Sequence, residues 1–251
     1  MKLIRALKYY IILIRYNFSQ YKKECGYNSL ILNKSIINKT VNFNKLTLNN
    51  KNDQNYQRTI KFINFIKKKK LNSIIDFGGG AGYHFFIAKK KLSRFNLKWS
   101  IIENKTMVGL CNKEPKHKNL FFFNSLEKVN KADIFFSSNG INYTQDPIKT
   151  LKVISKLNTK YFYFTRTPLT ENNNLEFTQL SYLADNGPLK IKGEEKIFIK
   201  YRNKITNIKT FEGIFKDKFQ IILKYIDEKN ALFYKNKFLD TYTYIIKRKK
   251  I

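Results

Sequence analysis

The chain has 251 residues, 43% of them hydrophobic, which is enough to enclose a substantial core and excludes a disordered polypeptide. No apolar run approaches the roughly 18 residues of a membrane span, and the short run at 9–14 (YYIILI) has no small-residue cleavage site after it. The formal charge of +31 invites a polyanion-binding reading, but it comes from 42 Lys against only 7 Arg, beside 29 Asn and 31 Ile. That is the signature of A/T-rich codons, whereas phosphate-binding surfaces favour the arginine fork. Cys25 and Cys111 lie far apart, and with only His84 and His117 they supply neither a disulfide framework nor a metal site. A reducing, cytoplasmic compartment is expected.

Leu3, Ile4, Leu7, Ile11, Ile14 and Phe18 recur at spacings of three and four, which predicts an amphipathic helix. Residues 41–55 are polar and asparagine-rich and read as a loop. Residues 56–69 read as a second helix, with Ile60, Ile63 and Ile66 on one stripe. Its basic end at 67–70 suits a helix C-terminus. Residues 1–70 therefore read as an N-terminal helical cap.

From residue 71 the pattern changes. Short apolar runs at 73–77, 98–103, 120–123, 132–137 and 161–166 read as strands, with helices at 83–91 and 147–157. Strands at this spacing, apolar throughout rather than alternating, predict a parallel, doubly wound α/β sheet covered on both faces. Residues 167–213 break the rhythm and read as an insertion over the sheet edge. Runs at 219–225 and 241–247 are too close for a crossover helix and should pair as an antiparallel hairpin. The division is thus a cap at 1–70 and an α/β domain at 71–251.

The most informative stretch is Asp76-Phe77-Gly78-Gly79-Gly80-Ala81-Gly82, at the junction of a strand and a helix, where the backbone must turn sharply and lie against a ligand. Four of the chain's ten glycines stand in this stretch. A dinucleotide-binding G-x-G-x-x-G would put Tyr83 in place of its third glycine and fits poorly. D-x-G-x-G-x-G instead matches the first motif of the Rossmann-like methyltransferases. With 99–104 (WSIIEN), 132–147 (ADIFFSSNGINYTQDP) and 163–168 (YFTRTP) in order, the chain resembles a family of S-adenosylmethionine-dependent methyltransferases found in bacterial surface-polysaccharide (O-antigen type) gene clusters. The resemblance covers residues 70–185. It implies a Rossmann-like fold with S-adenosyl-L-methionine as cofactor. It further implies that Asp76, Gly78, Gly79, Gly80 and Gly82 line the methionine part. Glu103 would accept hydrogen bonds from the ribose hydroxyls, Asn124 and Ser125 would lie near the adenine, and Ser137, Ser138 and Asn139 near the ammonium.

Methyl transfer to an alcohol needs a base. His84, in the first turn of the helix after the glycines, is the candidate; packing in that turn is the alternative. Arg166, at the end of the fifth strand, could grip a phosphate or carboxylate or pair with a structural acid. Tyr143 follows the fourth strand at the edge where substrates enter. Asp146 precedes Pro147 and reads as a helix N-cap, and Glu176 and Gln179 are candidates to reach the acceptor. The expected function is methylation of a small molecule, such as a sugar of a surface glycan or its activated precursor, with peripheral membrane contact compatible with the basic surface. Two alternatives stay open: an RNA methyltransferase, for which no nucleic-acid-binding module is recognisable, and a non-catalytic binding protein that keeps the fold.

Overall fold

The computed structural model describes residues 2–18, 22–24, 26–46, 53–115, 117–129 and 131–249. Cys25, residues 47–52 of the expected loop and Lys250 of the basic tail lie outside them. The described helices are α1 (Lys2–Phe18), α2 (Leu30–Lys45), α3 (Gln54–Lys69), α4 (Tyr83–Lys91), α5 (Lys105–Cys111), α6 (Pro147–Ile154) and α7 (Ile208–Phe215). The strands are β1 (Lys22–Glu24), β2 (Ser73–Phe77), β3 (Lys98–Ile102), β4 (Leu120–Phe123), β5 (Ile134–Ser138), β6 (Tyr161–Thr170), β7 (Leu175–Tyr182), β8 (Phe198–Asn207), β9 (Phe219–Tyr234) and β10 (Lys237–Arg248).

The architecture is α/β, with a mostly parallel sheet. β4, β3, β2, β5 and β6 run parallel in that order. β10 then joins β6 antiparallel, and β9 joins β10. The order reverses at β2, where the chain returns to β5 beyond it, and this opens a crevice at the carboxyl ends of the strands. Alternate residues of the central strands feed two cores. Ile134, Phe136, Tyr161 and Tyr163 pack with Phe62, Ile63, Ile66, Phe85 and Trp99, under α3 and α4. Phe135, Phe162 and Phe164 pack with Leu151, Ile154, Phe211 and Phe215, under α6 and α7.

Several expectations change in detail. Part of the stretch read as a loop is helical, since α2 continues to Lys45. A helix there escapes composition because Asn33, Ser35, Lys39 and Thr40 are buried polar residues, and no clean apolar stripe marks the buried face. β6 continues past Arg166 to Thr170, and the insertion after it is built on an antiparallel β7–β8 ladder. β8 also pairs parallel with β1 and with the end of β6. The hairpin strands are longer than their apolar runs because the ladder continues from Tyr225 to Tyr234.

The first helix forms as its periodicity predicts, but its apolar stripe faces outward. Leu3 is 81% exposed, Ile4 69%, Leu7 57% and Ile14 57%. The helix is held on β9 instead by its other side. Arg5 pairs with Glu228 and donates to the Ala231 carbonyl, and Tyr9 meets Phe233 edge-on at 5.4 Å. No described helix is long and apolar enough to cross a membrane.

Candidate functional site

The glycine turn between β2 and α4 lines a cavity of about 1120 Å³, with the loops after β3 and β5, the start of α2 and residues of β6 and β8. Two glycines set the shape of its floor. A Cβ on Gly140 would meet the Phe77 carbonyl oxygen at 2.8 Å, and one on Gly78 would meet the Gly140 Cα at 3.1 Å. Gly78 also has φ +75°, a conformation side chains rarely adopt. The two loops therefore touch through bare backbone.

Glu103 stands immediately after β3 and is folded onto this floor. Its Oε1 accepts from the Gly80 amide at 3.0 Å, and its Oε2 accepts from the Asn104 amide at 3.0 Å and from Asn104 Nδ2 at 3.2 Å. Burial pushes its carboxyl upward, and these hydrogen bonds oppose the shift. Asn104 caps α5 by accepting from the Met107 amide, and it donates to the Tyr27 carbonyl and to Asn33. The acid is thereby tied to the segment that opens α2.

His84 also lines the cavity, its ring edge-on to Phe136 at 5.0 Å. Its Nδ1 lies 2.9 Å from the Thr59 hydroxyl. That hydroxyl spends its single proton on the Asn55 carbonyl at 2.7 Å, so toward His84 it accepts. The imidazole therefore carries its proton on Nδ1 and keeps the lone pair on Nε2. Burial, reinforced by the nearby Arg166 charge, lowers its pKa to about 3, so the ring is neutral at physiological pH.

Across the cavity three tyrosines pack together. Tyr27 meets Tyr143 at 4.7 Å and Tyr201 at 4.9 Å, and Tyr143 meets Tyr201 at 5.2 Å. A polar chain runs behind them: Asn139 donates to Tyr143 at 3.3 Å, and Tyr143 and Asn203 both donate to Gln179 Oε1. Arg166 comes from β6 to the same cavity.

Of the residues singled out in the sequence, Gly78, Gly79, Gly80, His84, Glu103, Asn124, Ser138, Asn139, Tyr143 and Arg166 are gathered at this cavity. Others stand apart from it. Asp76 lies beneath the glycine turn, accepting from Trp99 Nε1 at 3.0 Å, so it supports the loop from below. A Cβ on Gly79 would strike its carboxylate at 2.6 Å. Gly82 opens α4, Ser125 caps a short 3-10 turn by accepting from the Glu127 amide, and Ser137 donates to the Phe77 carbonyl. Asp146 caps α6 through the Lys149 amide. Glu176 is paired with Lys204 and Arg202 outside the cavity, and Gln179 belongs to the chain behind the tyrosines. Sequence reasoning missed Tyr27, Asn104, Gly140 and Tyr201. Gly140 had a signal, a glycine just past a strand end, but the tyrosines arrive from distant segments and had none.

No family model matches the chain, and no curated protein matches it. Solved structures do resemble it. The PH0226 protein of Pyrococcus horikoshii OT3 is 13% identical, with 79% of this chain and 93% of that one covered at a TM-score of 0.47. The N-terminal domain of EvdMO1, solved with SAH and D-fucose, is 7% identical, with 77% and 82% covered at 0.46. An S-adenosylmethionine dependent methyltransferase of Mesorhizobium loti is 11% identical, with 71% and 91% covered at 0.44. Identity this low transfers no residue assignments to the present chain.

Proposed function

We propose that this chain is an S-adenosylmethionine-dependent methyltransferase acting on a small-molecule acceptor. The observation that carries the reading is the bare contact of Gly78 with Gly140 beside the Glu103 carboxylate. Two loops locked together through backbone hold the glycine turn open along the cavity, where a ligand can approach its main chain. A two-oxygen acid at the next strand end suits the two hydroxyls of a ribose. When bound, the cofactor supplies a methyl group already activated on a sulfonium, which leaves alignment, water exclusion and proton removal to the protein.

Glu103 would hold the ribose, the backbone at Gly78, Gly79 and Gly80 would approach the methionine part, and Ser138 and Asn139 its ammonium. Asn124 stands on the adenine side. His84 presents a lone pair at Nε2 and would take the acceptor's proton there late in the transfer, once bonding to carbon has made that oxygen acidic enough to yield it to a base weakened by burial. Tyr27, Tyr143 and Tyr201 close the acceptor side against water, and their ring faces suit the apolar faces of a sugar. The acceptor in this reading is a sugar of a surface glycan or its activated precursor.

Calorimetry with S-adenosylmethionine, in about 0.3 M salt to screen surface charge, tests the proposal. The parent protein should bind, and Glu103→Ala should weaken binding about tenfold or more, as charge-assisted hydrogen bonds of ~1.5–3 kcal/mol are lost. A folded parent that does not bind the cofactor overturns the reading.

A further inference from the structure

Arg166 is an anomaly within its strand. It has φ +53° in the middle of β6, a backbone conformation that costs a non-glycine residue about 1–3 kcal/mol and persists only where surrounding structure enforces it. The enforcing structure is a bulge. β10 pairs Tyr244 with Phe164 and Tyr242 with Thr167, so Thr165 and Arg166 together oppose the single residue Thr243. Thr243 donates to Thr165 at 3.0 Å, which pins one of the two, and the extra residue is Arg166, which lines the cavity.

The guanidinium has no matching partner. Among the described residues no hydrogen bond or ion pair reaches it, although burial and the nearby Arg58 charge both work against its protonated form. The neighbouring acids are committed elsewhere. Arg58 binds Asp227 at 2.6 Å and Glu228 at 3.0 Å, and Arg5 also pairs with Glu228. Glu103 is bonded to Gly80 and Asn104, and Asp53 caps α3 through the Tyr56 amide. Lys204 and Arg202 of β8 line the same cavity and share the single carboxylate of Glu176, which leaves one positive charge in excess on the acceptor side. A largely buried cation without a counter-ion is costly, so a charge kept in this state by a strained bulge and facing an open cavity calls for an anion from outside.

We infer that Arg166 is the binding site for an oxyanion, a phosphate or carboxylate carried by the acceptor, held by the guanidinium fork beside His84. This rests on the methyltransferase reading for the word acceptor, while the anion site stands on the geometry alone. It narrows the substrate to anionic molecules, a sugar phosphate or a sugar acid rather than a neutral glycan. It also couples binding to chemistry, because an anion on Arg166 offsets the repulsion that adds to burial in lowering the basicity of His84.

The chain has two histidines, so ring NMR signals report on the site cleanly. Methyl phosphate and acetate would each be titrated into the full chain at constant ionic strength. At least one should shift the His84 signals saturably and leave His117 unmoved, and the one that does so identifies the oxyanion. Arg166→Gln should weaken that titration about 30-fold or more. Arg166→Lys, which keeps the charge and loses the fork, should fall between the two. His84 signals that move with neither anion, or equally in Arg166→Gln, overturn the inference. Cofactor binding read on the same samples separates the two proposals. Cofactor binding without an Arg166-dependent anion response sinks this one alone, and the converse sinks the methyltransferase reading alone.

Discussion

At His84 the hydrogen bond through Thr59 to the Asn55 carbonyl sets the tautomer, and burial, reinforced by the Arg166 charge, holds the basicity down. His84→Ala should therefore lower turnover about 10²–10⁴-fold on the eventual acceptor while leaving cofactor affinity intact, as steady-state kinetics beside calorimetry will read. Asp76 gives the complementary case. Burial raises its pKa from 3.8 to about 7 against the hydrogen bond from Trp99, with the Glu103 charge adding to the rise. Between those values the folded state holds a proton that the unfolded state has released, so this group's stabilisation is present at low pH and lost as pH rises through about 7. Denaturation midpoints should show the parent losing stability relative to Asp76→Asn over that window. A difference that stays flat with pH would count against the buried, protonated acid. Gly140 supplies the steric test. Its φ of −90° suits any residue, so the 2.8 Å approach to the Phe77 carbonyl alone should make Gly140→Ala costly, by about 1–3 kcal/mol in a thermal melt.

The N-terminal helices differ sharply in what they contribute. Phe62 of α3 is fully buried and stacked on Phe136 at 4.0 Å, so this helix forms one wall of a core. Phe62→Ala should cost about 3–5 kcal/mol. On α1 the stripe of Leu3, Ile4, Leu7 and Ile14 is exposed, and Leu7→Ser should change stability by less than about 0.5 kcal/mol in the same denaturation assay. Both helices were legible from periodicity, yet an amphipathic pattern says only that two faces differ, and cannot say which neighbour covers the apolar one. The strands were legible for a related reason: β2 to β6 are apolar throughout because helices cover both faces. α2 was only partly legible, because polar side chains such as Lys39 point inward. Its ammonium binds the Leu183 and Asn186 carbonyls and Glu194, partners about 150 residues away in sequence that composition cannot supply.

At the scale of the whole molecule, the +31 charge and the cavity make separable demands. A lysine-dominated surface attracts polyanions by counterion release, and that affinity falls steeply with salt. Retention on a nucleic-acid column should thus vanish by about 0.5 M salt, while cofactor binding in the cavity, which rests on short-range hydrogen bonds and packing, should persist. Cofactor affinity measured across the same salt range provides the comparison.

By itself the sequence determined the alternation of apolar strands and helices and the glycine turn at a strand end, with an acid after the next strand. These signals are local: backbone conformation, periodicity and side-chain size act within a few residues, and any reader of the chain can recover them. Only the tertiary structure decided which groups share the cavity. It withdrew Asp76 beneath the loop and brought Tyr27 to Tyr201. It also turned Arg166 inward through a bulge whose register is set by β10, some 80 residues away. The physical reason is that pairing and burial are properties of partners, and a residue's partners are chosen when distant segments pack, after local preference has had its say.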